Sequence, residues 1–412
     1  METDQKNIII LGSGFGGITA ALTLAKKLPT HTSLILVDRH HHQLYTPSLY
    51  EIASIPREIT KDTMLKSSIL VDITNAIRTL PITFLCDECT GLNPREKTIQ
   101  LQKNGILPYE YLIVALGSET SYFDIPGMRE YGLTLKTFDD AIRLRNAIED
   151  AHKRKEELHV VVGGAGSTGV ELVAEFVNFV CLIKERIANA SKICAVFFTL
   201  VEATPDILPG FNPWIVATAK KRLEQLGIRI KTNAPIHSVS EHELIYKNGD
   251  REKYDILIWA GGVKGPSLLC ATGLPLSPKG SLLVDEFLRV KDSDNRIFAI
   301  GDNATFINPH TQKPLVWNVP VAQEEAKIVA KNILAALRQK PLKPFIPENN
   351  YPFILAVGKK YAIADLVIIR FSGLSGWIAK QLVQLRYLFF VLPINQALRI
   401  WLSSIFVSNA ND

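Results

Sequence analysis

Short, uninterrupted apolar runs set the pattern of this chain. Ile8-Ile9-Ile10-Leu11, Ser33 to Val37, residues 159–162 and residues 195–201 carry too little alternation for half-exposed strands. They predict strands buried on both faces, as in parallel sheets covered by helices. Glycine turns follow the first and third runs, each leading into a helical stretch. One is Ile18 to Leu28, stopped by Pro29, and the other runs from about Val170 to Asn189. The other two strands close on an acid, Asp38 and Glu202. The unit strand, glycine turn, helix, strand, carboxylate is therefore written twice.

Two more apolar strands, Tyr111 to Val114 and Asp255 to Trp259, run into small residues at Ala115, Gly117, Gly261 and Gly262. Small residues at a strand end suit close approach of backbone to a flat ligand. The first hands the chain from one unit to the next and the second hands it back. The pattern predicts an α/β protein with two Rossmann-like dinucleotide-binding domains, the first of them discontinuous. Its parts are residues 1–119 and 265–345, flanking a second domain at 120–264, with a separate tail at 346–412.

The glycines give the units their chemistry. Gly12-Ser13-Gly14-Phe15-Gly16-Gly17 and Gly164-Ala165-Gly166-Ser167-Thr168-Gly169 both fit G-x-G-x-x-G, and Ala299-Ile300-Gly301-Asp302 adds a third phosphate-site signature. One such match is weak, because turn geometry alone explains it. Two, each between a buried-type strand and a helix, predict two dinucleotides held at once. Glycines let backbone approach a pyrophosphate, the helix N-terminus offers free N–H groups, and the acid accepts ribose hydroxyls. A carboxylate at Glu202 repels a 2′-phosphate and so favours NADH over NADPH. Gly164 to Glu202 exceeds the usual spacing of about 20 residues, an excess assigned to a long helix and a loop around Ser191.

Composition narrows the field. The chain has 412 residues, enough for two or three domains, and 47% are apolar. The net charge is +5, yet from Arg338 onward nine Lys/Arg face three Asp/Glu, which leaves the first 337 residues at −1. Basic character thus belongs to the tail and predicts no nucleic-acid partner, whose footprint covers a whole binding domain. Met-Glu-Thr-Asp-Gln-Lys-Asn has neither the basic nor the apolar region of a secretory leader. Five cysteines form no disulfide framework, which suits a reducing compartment. Cys86-Asp-Glu-Cys89 has no second pair and reads as packing in an extended segment. His40, His41 and His42 cannot all converge on one ion, so no metal site is expected.

In the tail, Leu374 to Val407 is rich in Leu, Ile, Val, Phe and Trp but interrupted too often for a spanning helix of about 20 apolar residues. Two short amphipathic helices broken at Pro393 fit better, with Lys380, Arg386 and Arg399 on or near their polar faces. Apolar faces on a basic tail predict an interfacial anchor drawn to anionic lipid. A core helix pair or a homodimer interface would show the same pattern.

Taken in order, these features resemble the type II NADH dehydrogenases, the single-subunit NADH:quinone oxidoreductases. Besides the fingerprints, the likeness includes Asp38-Arg39, Leu44-Tyr45-Thr46-Pro47, Leu49-Tyr50-Glu51, Thr168 to Leu172, Leu200 to Ala203 and Ala322-Gln323. It extends into the tail, where 357–402 looks like the family's membrane-docking region. The resemblance implies tightly bound FAD on Gly12, Gly14, Phe15, Gly16, Gly17, Asp38, Arg39, Ala115, Gly117 and Asp302. It implies that the backbone at Cys89 touches adenine and that Ala322 and Gln323 lie at the isoalloxazine edge. NADH falls to Gly164, Gly166, Gly169, Glu202 and Gly261. Glu171 matches a family glutamate near the nicotinamide–flavin stack, although an acid early in a helix also has an ordinary dipole role.

The implied reaction passes hydride from NADH to FAD and then two electrons to a membrane quinone, without proton pumping. The implied place is the cytoplasmic face of the cell membrane. The chain departs from the family at Ala-Gln-x-Ala-x-Gln, reading Ala322-Gln323-Glu324-Glu325-Ala326-Lys327. Lys327 stands where a quinone-site glutamine is expected, so either it donates to a quinone carbonyl or the acceptor differs. A sulfide:quinone reductase is the nearest alternative, but Cys181, Cys194 and Cys270 match none of its thiols. Disulfide reductases need a cysteine pair where Arg39 to Tyr45 has none. A redox sensor that binds NADH and a partner protein is the alternative outside catalysis.

Overall fold

A computed structural model describes residues 6–186 and 194–410. The expected helix end at Asn189 and the loop around Ser191 lie outside the described residues. Two five-stranded parallel sheets form the framework. In the first, the strand Lys6–Leu11 lies between Thr32–Asp38 and Tyr111–Val114, with Ile8 opposite both Leu34 and Tyr111. Thr83–Cys86 extends one edge and Ile297–Ala299 the other. Ile8, Ile9 and Ile10 are wholly buried, as an unalternated central strand requires.

The second sheet repeats the plan. Glu157–Gly163 sits between Ala195–Val201 and Ile256–Trp259, with Arg229–Lys231 and Gly132–Thr134 outside them. Each sheet thus places its fingerprint strand centrally and its acid-tipped strand next to it. Ligands bind such sheets beyond the carboxyl ends of the strands, where the strand order reverses. The helices Phe15–Ala25 and Ser167–Arg186 start at those ends. Neither has an acid in its first turn, so their N-terminal potential stays open to an anion.

The tail differs from expectation in length. Its helices, Leu374–Val391 and Ile394–Ala410, run for 18 and 17 residues. They part at Leu392-Pro393, since proline cannot continue the hydrogen-bond ladder. A three-stranded sheet, Phe353–Ala356, Ala362–Asp365 and Arg370–Gly373, precedes them. Leu374, Ile378 and Leu382 are exposed at four-residue intervals, as are Ile394, Leu398, Leu402 and Phe406. The hairpin before them also exposes Val367, Ile368 and Ile369. Lys380 does not lie on a polar face. Its ammonium turns inward to Glu51 Oε1 at 2.6 Å and to the Tyr50 hydroxyl. Among the described residues no helix is long and apolar enough to cross a membrane.

Candidate functional site

The carboxyl ends of both sheets open into one cleft of about 2170 Å³. The two glycine turns enter it in the same way. Gly12 and Gly164 have φ of +96° and +100°, and a Cβ on either would strike backbone at 2.3 Å (Ala115 O) or 2.5 Å (Gly261 Cα). The last glycines, Gly17 and Gly169, pack helix on strand, since a Cβ would lie 1.8 Å and 2.0 Å from the carbonyl oxygens of Gly12 and Gly164. Gly14 and Gly166 face open space. First glycine for the turn, second for the ligand and third for packing is the division of labour in a dinucleotide fingerprint.

The acids mirror one another as well. The Ser13 N–H and hydroxyl donate to Asp38 Oδ2, both at 2.7 Å, and the His40 N–H donates to Oδ1 at 2.9 Å. Ala165 N–H donates to Glu202 Oε2 at 2.8 Å, and Thr204 donates its N–H and hydroxyl to Oε1 at 2.9 and 3.0 Å. Each acid is tied to the residue between the first two glycines of its own turn. That holds each carboxylate against its own glycine turn. Arg39 lines the cleft beside Asp38, and its guanidinium reaches towards Glu88 at 3.8 Å.

The Gly301–Asn303 turn is gripped from several sides. Gly301 N–H donates to Glu325 Oε2 at 2.7 Å, and Asn303 Oδ1 accepts from Gly117 N–H at 3.1 Å. Asn303 Nδ2 donates to Val114 O at 2.9 Å, and the Ser118 hydroxyl donates to Asp302 Oδ2 at 2.9 Å. Burial pushes the Glu325 carboxyl up to about 8, with Asp302 and Glu324 adding to the rise and the Gly301 N–H opposing it. Ala322, Gln323 and Lys327 reach the cleft from the helix Val319–Leu337, and Ala115, Gly117, Asp302 and Gly261 also line it. A Cβ at Gly261 would fall 2.1 Å from the Trp259 ring.

Glu171 faces the cleft one turn into its helix, beyond the first turn where a dipole role would place it. Its Oε1 accepts from Ala356 N–H at 3.3 Å. Desolvation raises its carboxyl to about 8, against the pull of Lys380. The Lys380–Glu51 pair beside it is largely buried, and burial holds the Tyr50 hydroxyl well above its ordinary range. Tyr387 packs 4.9 Å from Phe15 and donates to Gln43 Oε1 at 2.6 Å. This docks the first tail helix onto the first fingerprint. Neither Lys380 nor Tyr387 could be placed from sequence, since both act across more than 300 residues.

Cys89 is not brought to the cleft wall. It starts the strand Cys89–Asn93 of a separate antiparallel sheet, its thiol directed to the Gly91 carbonyl at 3.3 Å and raised by burial to about 11. All five cysteines are free and none lines the cleft. Among the described residues no cluster of three His, Cys, Asp or Glu could hold a metal ion.

Two glycine turns with tethered acids, facing each other across one cleft, define a two-dinucleotide oxidoreductase architecture. The pattern of the pyridine nucleotide-disulphide oxidoreductases matches residues 6–326, and the chain belongs to that family. It is 28% identical over 346 residues to a type II NADH:quinone oxidoreductase of Staphylococcus haemolyticus, covering 81% of this chain and 83% of that protein. It is 27% identical to the protein of that name from Staphylococcus aureus, covering 84% and 86%. The structure of NDH2 from Plasmodium falciparum in complex with NADH superposes with a TM-score of 0.82 at 22% identity, over 97% of this chain and 98% of that one. The sulfide:quinone oxidoreductase of Aquifex aeolicus follows at 0.78 and 18%, over 95% and 92%.

Proposed function

We propose that the chain is a type II NADH:quinone oxidoreductase, carrying FAD and passing reducing equivalents from NADH to a quinone without pumping protons. The single observation that carries this reading is the pair of mirrored fingerprints opening on one cleft. Residues 1–119 and 265–345 hold FAD, and residues 120–264 take NADH. The cavity fits both groups, because Gly14 and Gly166 leave room for a pyrophosphate at each helix N-terminus. Bound FAD supplies the two-electron chemistry that links a hydride donor to a quinone.

The protein's own part is alignment. Asp38 and Glu202 receive ribose hydroxyls, and Glu202 turns away a 2′-phosphate. Asp302 fixes the ribityl or pyrophosphate part of FAD, and Ala322 and Gln323 border the ring. Gly261 borders the nicotinamide side of the cleft, and its lack of a side chain lets the Trp259 ring pack against its backbone, since even a methyl group there would collide with that ring. Holding donor and acceptor in contact converts a bimolecular encounter into a unimolecular step. Glu171, with its carboxyl near 8, retains a proton at neutral pH beside the ring edge. Gln323 and Lys327 stand at the acceptor end with Val383, Tyr387 and Phe390. Lys327 is an exposed residue of the cleft wall and donates to a quinone carbonyl in place of the family glutamine.

The tail helices dock on the cytoplasmic leaflet as a peripheral anchor, so the quinone enters from the lipid side. The exposed four-residue stripes support this, and so do Arg386 and Arg399, which are also exposed. A homodimer would set two anchors side by side. Stopped-flow mixing of the flavin-loaded protein with NADH tests the core of the reading. Rapid bleaching of oxidised-flavin absorbance is expected, and a protein that binds no flavin, or whose flavin NADH leaves oxidised, refutes it.

A further inference from the structure

Phe123 stands outside both fingerprints, in a backbone conformation that its side chain disfavours. Ile125 N–H donates to Tyr122 O at 3.0 Å. This closes a turn whose two central residues, Phe123 and Asp124, have φ of +50° and +53°. Left-handed pairs of this kind favour Gly, Asn and Asp, and a bulky ring there is strained. The base of the turn is pinned. Ser121 N–H donates to Gly262 O at 3.0 Å, and the Trp259 indole N–H donates to Ser121 O at 2.7 Å. Glu119 and Thr120 pair antiparallel with Lys264 and Val263. The ring that this turn holds out lines the cleft and is 61% exposed.

Strand positions locate that ring. In the second sheet, the strand leading to Glu202 flanks Glu157–Gly163 on one side and Ile256–Trp259 flanks it on the other. A dinucleotide whose adenosine ribose meets Glu202 and whose pyrophosphate meets Gly164 and Gly166 carries its nicotinamide half over the second neighbour, about 5 Å further across the sheet. Gly261 closes on the fingerprint there, since a Cβ on Gly164 would lie 2.5 Å from its Cα. Phe123 packs on the next residue, where a Cβ on Gly262 would meet its ring at 3.4 and 3.5 Å. It also meets Trp259 edge to face, with centroids 6.3 Å apart and planes at 80°. The adenosine end belongs to a strand two places away. A hydrocarbon ring offers a phosphate no donor, whereas it suits the face or edge of another aromatic ring.

We propose that Phe123 is a nicotinamide-contact residue, its ring walling the nicotinamide end of the NADH site and adding aromatic contact to the ring that donates hydride. The proposal rests on the NADH reading above and deepens it, by assigning a side chain that recognises nicotinamide apart from the adenosine diphosphate. The pinned turn presents the ring before nucleotide arrives, which spares the cost of ordering it on binding. Oxidised nicotinamide is a cation, so the same ring also attracts the product NAD⁺.

The test compares two ligands on flavin-loaded protein by titration calorimetry. NAD⁺ carries the nicotinamide, and ADP-ribose is the same molecule without it. Phe123→Asn removes the ring while suiting the left-handed backbone, so the turn is kept. Its dissociation constant for NAD⁺ should rise about tenfold, and that for ADP-ribose should stay within about twofold. Phe123→Tyr, which keeps the ring, should bind both like wild type. If Phe123→Asn does not retain flavin, Phe123→Ala is read in the same way. A ringless variant with wild-type affinity for NAD⁺ overturns the proposal. So does one that loses NAD⁺ and ADP-ribose affinity in parallel, because a merely structural role would weaken both. Wild-type protein that binds neither nucleotide, or whose flavin NADH fails to bleach, sinks the functional reading itself, so the two failures are distinguishable.

Discussion

The exposed apolar stripe of the last helix gives a quantitative test of membrane docking. Ile394, Leu398, Leu402 and Phe406 are 69, 36, 58 and 51% exposed. Changing all four to serine therefore removes little of the folded core. A large apolar side chain contributes about 1.5–3 kcal/mol when fully buried. Scaled by these exposures, lipid contact through the four is worth about 3–6 kcal/mol, or roughly two to four decades of partitioning. Co-sedimentation with vesicles containing anionic lipid, at constant flavin content and melting temperature, measures the shift. Reduction of a soluble dye by NADH should persist, because none of the four residues lines the cleft. If the quadruple variant partitions like wild type, the stripe is not the lipid contact, and an interface between copies of the chain becomes the better account.

Two further outcomes follow from the cleft. Glu202→Ala removes an acceptor for the ribose hydroxyls and the repulsion of a 2′-phosphate, so the ratio of kcat/KM for NADH over NADPH should fall by roughly 10-fold or more, about 1.4 kcal/mol or above, the scale of a hydrogen bond to a charged group. An unchanged ratio in steady-state assays would place the adenosine ribose elsewhere. Glu325 tests the buried carboxyl. Its folded pKa is raised to about 8, so the stability of its neutral form is fully present below the unfolded carboxyl range and is lost as pH rises through that value. Glu325→Gln keeps a neutral acceptor for Gly301 N–H, and its melting temperature should decline less than that of wild type across that window. Parallel melting curves from roughly pH 6 to pH 9 would contradict the assignment.

The sequence by itself determined the repeated unit. Unalternated runs such as Ile8–Leu11 can satisfy their side chains only between two covered faces, and paired fingerprints have one economical use. The acids Asp38 and Glu202 were legible for the same reason, because a strand end beside a glycine turn is a local fact. Tertiary structure decided what depends on distant contacts. Lys380 reads as a polar-face lysine in its helix, yet it pairs with Glu51 across 329 residues of chain. The strand that Cys89 begins joins a separate small sheet and its thiol turns to the Gly91 carbonyl, a contact that the C-x-x-C spacing does not reveal. Phe123 had no motif at all, and only the pairing of Ser121 with Gly262 gave its ring a place on the cleft wall. Periodicity records which face a residue shows to its own element, whereas the desolvation and charge that set its chemistry come from whichever element is folded against it.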